Sequence, residues 1–392
     1  MEKKMIYLDN AATTNYKPQE VIDAVKECLT QYPYNPNRSG NKLSLVLQQK
    51  LLDTRNKLHL LLNNDSEMHV AFTGGCTAAL NLAILGTAKK GHVIITATEH
   101  NSVLRPVMQL KKRGFVEVSV AKPNGDGQVT AAEIERLWRR DTYLVCVSHA
   151  SNVTGTAQAL AGIGELTRQR NALFLVDCAQ SVGYFPLDMA KLNVDMAAIA
   201  AHKGLHAIQG AGALIFNERA TPRPITFGGT GSESHLYYQP TTIPDSLESG
   251  TLPTPAILAM NAGVDWWLKN WKQNRQNVTD MQALILDGLS HIHAVTLYSQ
   301  PNKSGIIAFN VGDRDSAEVA DTLADKYDVA VRGGLQCAPL MHRHLNTLKQ
   351  GVVRASVSCV TTRQECYALL NAVEMIAHAP TTGQQFVNFS KS

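Results

Sequence analysis

Short apolar runs alternate with longer amphipathic stretches over most of the chain. Runs at 70–72, 92–98, 143–147 and 173–177 read as strands, and the small, apolar run at 196–201 reads as a strand buried on both faces. Residues 43–62, 78–85 and 159–170 instead repeat apolar side chains at helical spacing. Pro18 opens a further helix, with Val21, Val25, Cys28 and Leu29 on one face. Strands interleaved with helices predict a largely parallel α/β sheet. Residues 32–41, rich in Asn, Pro and Gly, read as a loop, and so do residues 226–255. A structureless stretch as long as the second is usually functional or interfacial. Helical periodicity resumes near Ala256 and carries Trp266, Trp267 and Trp271 as packing residues. Strands at 304–311 and 352–358 predict a second, smaller α/β unit. The expected division is a large domain at 16–262, a small domain built from 1–15 and 263–380, and a polar tail at 381–392.

A chain of 392 residues suits two or three domains with ample core. Its 44% hydrophobic and 18% charged residues are ordinary for a globular protein. The formal charge of +4 is small for this length and no basic block stands out, which argues against a nucleic-acid partner. Seven cysteines without CxxC spacing fit neither a disulfide framework nor a zinc ribbon. His342 and His344 lack a second ligand pair, so no metal site is expected. No run approaches the roughly 20 apolar residues of a membrane span, and residues 1–8 lack a signal-peptide core. These features predict a soluble cytoplasmic protein.

In such sheets ligands bind at the carboxyl ends of the strands. Here those ends carry Glu99-His100, Asn152, Asp177 with Gln180, and His202-Lys203. Lys203 at the mouth of an apolar strand has two readings. It leaves for solvent, the common fate of lysine, or burial lowers its pKa and makes a reactive amine suited to a Schiff base. The turn Thr73-Gly74-Gly75-Cys76-Thr77, entering a helix, is either a plain cap or an anion cradle. It matches neither the P-loop nor GxGxxG. Taken together, the clusters fit pyridoxal phosphate, which needs a lysine, an acid for its ring nitrogen, a phosphate cradle and partners for its ring oxygen. Lys203, Asp177, the turn at 73–77, and Asn152 with Gln180 meet those needs. His100 suits stacking on the ring and proton shuttling. Arg354 and Arg332 suit a substrate carboxylate, and Asn152 is a further candidate for contact with the substrate.

The ordered set Tyr7-Leu8-Asp9-Asn10-Ala11-Ala12-Thr13-Thr14, Glu99-His100-Asn101-Ser102, Asp177-Cys178-Ala179-Gln180-Ser181, His202-Lys203-Gly204, Glu248-Ser249-Gly250-Thr251 and Arg332-Gly333-Gly334-Leu335-Gln336-Cys337-Ala338-Pro339 resembles one known group. That group is the cysteine desulfurase and selenocysteine lyase branch of the class V aminotransferases, which are fold-type I pyridoxal-phosphate enzymes. The match spans about residues 5–370. The resemblance implies that Lys203 joins the cofactor covalently, His100 stacks on its ring, and Asp177 contacts the ring nitrogen, with Asn152 and Gln180 near the ring hydroxyl. Cys76, Thr77 and His202 would hold the phosphate, with the partner subunit's Thr251 reaching across in a homodimer. Cys337 falls at the persulfide-forming cysteine, and Arg354 at the arginine for the substrate carboxylate. A free cysteine has a pKa of about 8.5, so its loop must activate it, and Arg332 is the nearby candidate. The other cysteines at 28, 146, 178, 359 and 366 lie in apolar or helical runs and read as core.

The chain departs from the family pattern at four positions. Ala200 stands where Ser or Thr is expected as a phosphate ligand, Gln336 where His is common, Val360 where Asn is common, and Asn41 where His is common. The last three are expected to touch the substrate pocket. The implied activity is conversion of L-cysteine to L-alanine with a persulfide on Cys337, destined for a sulfur-acceptor protein or thiol. Selenocysteine lyase, another lyase or epimerase of the same class, and a catalytically silent scaffold for sulfur transfer stay open.

Overall fold

The computed structural model describes residues 5–36 and 42–379. Asn41, one of the four departures, and the expected polar tail at 381–392 lie outside them. The chain enters through β1 (Ile6–Tyr7), α1 (Gln19–Gln31) and α2 (Lys42–Leu62). It continues through β2 (Val70–Thr73), α3 (Cys76–Gly86), β3 (Gly91–Thr96), α4 (Asn101–Lys112), β4 (Val116–Ala121) and α5 (Ala131–Arg136). Next come β5 (Thr142–Ser148), α6 (Leu160–Gln169), β6 (Leu173–Asp177), β7 (Met196–Ala200) and β8 (Gly212–Phe216). Strands β2 to β8 form one seven-stranded sheet in the order β2-β8-β7-β6-β5-β3-β4. All its pairings are parallel except those of β8, which runs against both β7 and β2.

The apolar runs become central strands because both faces of this sheet are covered. Ile94, Val145, Val147, Phe174, Val176 and Ile199 pack toward α2 and α6. The residues between them, including Val93, Ile95, Leu144, Cys146, Leu175 and Ala198, pack toward α3 and α4. The period of two is the pleat itself, with a helical layer on each side. Cys28, Cys146, Cys178 and Cys366 are buried, as expected, whereas Cys359 is half-buried.

Residues 217–253 are irregular apart from one short 3₁₀ turn at Asp245–Leu247. The 37-residue helix α7 (Thr254–Ser290) then leads to a second layer. Strands β9 (Val295–Leu297) and β10 (Ile306–Val311) are followed by α8 (Ser316–Tyr327), β11 (Val329–Ala330), α9 (Pro339–His344), β12 (Val353–Ser356) and α10 (Arg363–His378). The order β12-β10-β9 is antiparallel, while β1 pairs with β11 in parallel. A separate core joins this smaller sheet to α7, α8 and α10 through Trp267, Ile285, Phe309, Leu323 and Leu369. The architecture is α/β, with the mostly parallel large sheet and smaller α/β layer of fold-type I. Among the described residues no helix is long and apolar enough to cross a membrane.

Candidate active site

The carboxyl ends of the parallel strands, together with the start of the reversed β8, enclose a cavity of about 510 Å³. Lys203, three residues past β7, lines it. Burial pushes its ammonium below the usual lysine value, opposed in part by Cys76 and Asp177 and reinforced by Arg354 and Arg332. Among the described residues no hydrogen bond or ion pair involves its Nζ. The solvent-bound reading of this lysine is therefore wrong for the fold, because the strand delivers it into a cleft. The turn is held from outside by the Ala12-Thr13-Thr14 loop. The His202 carbonyl accepts from the Thr14 N–H at 3.1 Å and from the hydroxyls of Thr13 and Thr14 at 3.3 and 3.1 Å.

Asp177 closes β6 in register with Ala198 of β7, one strand from the lysine turn. Its Oδ1 accepts from the Ala179 N–H at 2.9 Å and from the Cys76 thiol at 3.5 Å. Cys76 and Thr77 begin α3, whose first N–H groups have no intrahelical partner and carry the positive end of the helix dipole. An added Cβ at Gly74 or Gly75 would meet nothing within 4 Å, so the cradle is open on the cavity side. Behind it, Gly212 lets β8 approach closely, since a Cβ there would lie 2.9 Å from the Cys76 nitrogen. The Cys76 side chain is thus turned to Asp177, leaving its backbone N–H for an anion. His202 lines the same cavity, kept neutral by burial and by Lys203 and Lys17, with its pKa lowered to about 4.

His100 caps α4, its Nδ1 accepting from the Ser102 N–H at 3.1 Å. Burial lowers its pKa, so the neutral ring keeps its proton on Nε2. Asn152 and Gln180 complete the wall. Asn152 Nδ2 donates to the Gln336 carbonyl at 2.6 Å, and Gln180 Nε2 donates to the Ala11 carbonyl at 2.9 Å. Four expected residues lie off this wall. Cys337 is on the loop before α9, where Arg332 Nη2 donates to its Sγ at 3.8 Å. Arg354 of β12 is buried, donating to Asp9 Oδ1 at 2.6 Å and to the Asn152 carbonyl at 3.0 Å. Thr251 is exposed, on the irregular segment before α7.

Several contributors were not expected. Ser102, Ser148 and Gln209 line the cavity, and Ser102 was within reach because it belongs to the Glu99-His100-Asn101-Ser102 motif. Glu99 of that motif is fully buried beneath the strand ends. It accepts from the Ser148 N–H at 2.8 Å and has its pKa raised to about 8 by burial.

A family model for class-V aminotransferases matches residues 6–369. The chain belongs to that family. A probable cysteine desulfurase of Methanothermobacter thermautotrophicus is 31% identical over 381 residues, covering 95% of this chain and 94% of the relative. A cysteine desulfurase of Escherichia coli O127:H6 is 30% identical, covering 95% and 93%. Among solved structures, the apo cysteine desulfurase of Thermococcus onnurineus superposes with a TM-score of 0.88 at 25% identity, covering 95% of this chain and 94% of that one. These relatives put the chain in the cysteine desulfurase branch of the class-V family.

The structure also relocates the departures from the family pattern. Ala200 does line the cavity and brings no hydroxyl, while Gln209 and Ser102 are polar groups on the same wall. Gln336, expected to touch the substrate pocket, points inward instead and is 2% exposed. Val360 lies in a turn after β12, 45% exposed and off the cavity wall. The Gln336 side chain is drawn instead into a buried hydrogen-bond network, so it does not reach the cavity described above.

Proposed function

We propose that this protein is a pyridoxal-phosphate-dependent cysteine desulfurase that converts L-cysteine to L-alanine and leaves a persulfide on Cys337. The observation that carries this reading is Lys203, an unpaired amine of lowered pKa in a cavity that also holds Asp177 and an open helix start. The cavity suits the cofactor on its own terms. His202 Nδ1 and Asn152 Oδ1 are buried polar atoms without a protein partner, a costly arrangement unless a ligand meets them. Cys76, Thr77 and His202 would hold the phosphate, with the partner subunit's Thr251. Asp177 would take the ring nitrogen, Asn152 and Gln180 the ring oxygen, and His100 a ring face. Bound there, the cofactor supplies an electron sink for charge building at the substrate Cα.

The chain's own groups do the rest. The Lys203 amine is suited to move the Cα proton because burial favours its neutral form. Arg354 and Arg332 would take the substrate carboxylate, a role supported by the buried Arg354 Nε, which has no protein partner. Cys337 forms an S–S bond to the substrate sulfur as the Cβ–S bond breaks. Cysteine plus the Cys337 thiol gives alanine plus the Cys337 persulfide, which balances without an outside oxidant or reductant. The outer sulfur then passes to an acceptor thiol or protein. Homodimer formation is supported by Tyr237, Tyr238 and Phe227, which are 101%, 88% and 72% exposed on the segment that also carries Thr251.

Parallel product assays with cysteine, selenocysteine and alanine test the reading. Alanine release from cysteine, an extra sulfur on the Cys337 peptide, and loss of both in Cys337→Ala are expected. Lys203→Ala should lose the cofactor's near-visible band. Undiminished alanine release by Cys337→Ala would sink the persulfide assignment.

A further inference from the structure

The turn that carries the thiol is conformationally costly, and the side chain of one of its own residues fastens it from within. The Ala338 N–H donates to the Leu335 carbonyl at 2.9 Å, closing a four-residue turn. Its two central residues, Gln336 (φ 44°) and Cys337 (φ 57°), are both left-handed. Such turns favour Asn-Gly, and neither position here is glycine. What holds them is the buried Gln336 amide. Its Nε2 donates to the Arg332 carbonyl at 3.2 Å and to the Val352 carbonyl at 3.1 Å. Its Oε1 faces His342 Nε2 at 3.2 Å, and His342 Nδ1 faces the Thr347 hydroxyl at 2.8 Å.

The protons follow from those partners. Gln336 Oε1 only accepts, so His342 Nε2 carries the ring proton and Nδ1 accepts from Thr347. Burial keeps the ring neutral, with its pKa lowered to about 4. The main chain of the turn is pinned on its other side by Asn152 of the cavity wall and by Asn101 at the start of α4. Asn152 Nδ2 donates to the Gln336 carbonyl at 2.6 Å, and the Asn101 N–H donates to the Cys337 carbonyl at 2.7 Å. The carbonyl that Gln336 grips belongs to Arg332, whose guanidinium reaches the Cys337 sulfur.

We infer that Gln336 is a positioning residue: its buried amide, backed by His342 and Thr347, locks the Cys337 turn so that the thiol stays beside Arg332 and against the cavity wall. This rests on the reading of Cys337 as the group that takes the substrate sulfur. A purely structural role would lower stability and leave turnover of the folded enzyme intact. Positioning instead moves kcat, because a displacement of about 1 Å at a reacting atom costs on the order of 100-fold in rate.

Gln336→Gly separates the two, since glycine relieves the left-handed cost while deleting the amide. With the cofactor-loaded protein, kcat for alanine release is expected to fall roughly 10- to 100-fold, with KM for cysteine little changed. Thr347→Val, which removes the donor behind His342, should give a smaller loss of the same kind. The double variant should fall no further than Gln336→Gly, as expected for residues acting through one network. Wild-type kcat in folded Gln336→Gly overturns the proposal. If that variant does not fold, wild-type kcat in Thr347→Val overturns it. Cys337→Ser is run alongside. Alanine release at the wild-type rate there would instead remove the reading of Cys337 as the sulfur-accepting thiol, whatever Gln336 does.

Discussion

At the scale of single residues, burial sets the protonation of the histidines around the site, and one of them makes a testable link to stability. His206 is fully buried, and its ring stacks on Trp267 at 6.0 Å. Its Nδ1 sits 3.0 Å from the Tyr16 carbonyl, which only accepts, so Nδ1 holds the proton and Nε2 accepts from the Cys359 thiol at 3.6 Å. The neutral ring is therefore satisfied at both nitrogens, and burial lowers its pKa from 6.5 to about 4. Between those values the unfolded chain binds the proton and the folded one does not. The stabilisation is thus complete above pH 6.5 and is lost progressively as pH falls toward 4. Full loss is on the order of 3 kcal/mol, from about 1.4 kcal/mol per pKa unit. Urea midpoints measured from pH 7 down to pH 4.5 should fall, and the fall should be shallower in His206→Gln. Equal slopes in the two proteins would show that His206 does not titrate in this window.

At the scale of elements, the lysine turn depends on two backbones in contact. A Cβ on Gly204 would lie 2.0 Å from the Val182 carbonyl oxygen, and one on Gly183, at φ 91°, 2.4 Å from the Gly204 carbonyl oxygen. Gly204→Ala must therefore push the turn after β7 away from residues 182–184, displacing Lys203. We expect a stability loss of about 1–3 kcal/mol, typical of overpacking, with weaker cofactor binding by absorbance titration. Intact cofactor binding would mean that the turn moves without its lysine. The elements themselves were largely legible, since β2, β3, β5, β6 and β7 are each centred on three or more apolar residues in a row. Edge strand β4 is harder to see, because Val116, Val118 and Val120 alternate with Glu117 and Ser119 in a half-buried pattern. The start of α10 is written as a capping box, Thr362 with Glu365. The site was legible where residues share the carboxyl ends of parallel strands, as His100, Asn152, Asp177 and Lys203 do. Gln336 was not, since nothing local to it says that Val352 and His342 will enclose its amide.

At the scale of the whole molecule, a buried ion pair ties the irregular segment before α7 to the large sheet. Glu248 receives Arg55 of α2 through two hydrogen bonds, at 2.8 and 2.6 Å, and accepts from the Phe72 N–H of β2 at 2.6 Å. The guanidinium also lies over the Phe72 ring, 4.2 Å from its centroid. Glu248 stands three residues before Thr251, on the segment that exposes Phe227, Tyr237 and Tyr238. The pair thereby fixes the base of the proposed subunit contact. Glu248→Ala leaves a buried guanidinium without its carboxylate, which typically costs about 3–5 kcal/mol. Replacing both partners, as in Arg55→Met with Glu248→Leu, should recover most of that stability, because no charge is then stranded. The two variants separate stability from assembly. If the pair only holds the core, the double variant should sediment as the wild type does. If it also orders the segment toward a second copy, the double variant should be stable yet dissociate at higher protein concentration and bind the cofactor less tightly. Loss of Phe72's acceptor in both variants weakens the same anchor point, so we expect the second outcome. Wild-type sedimentation of the double variant would restrict Glu248 to a core role.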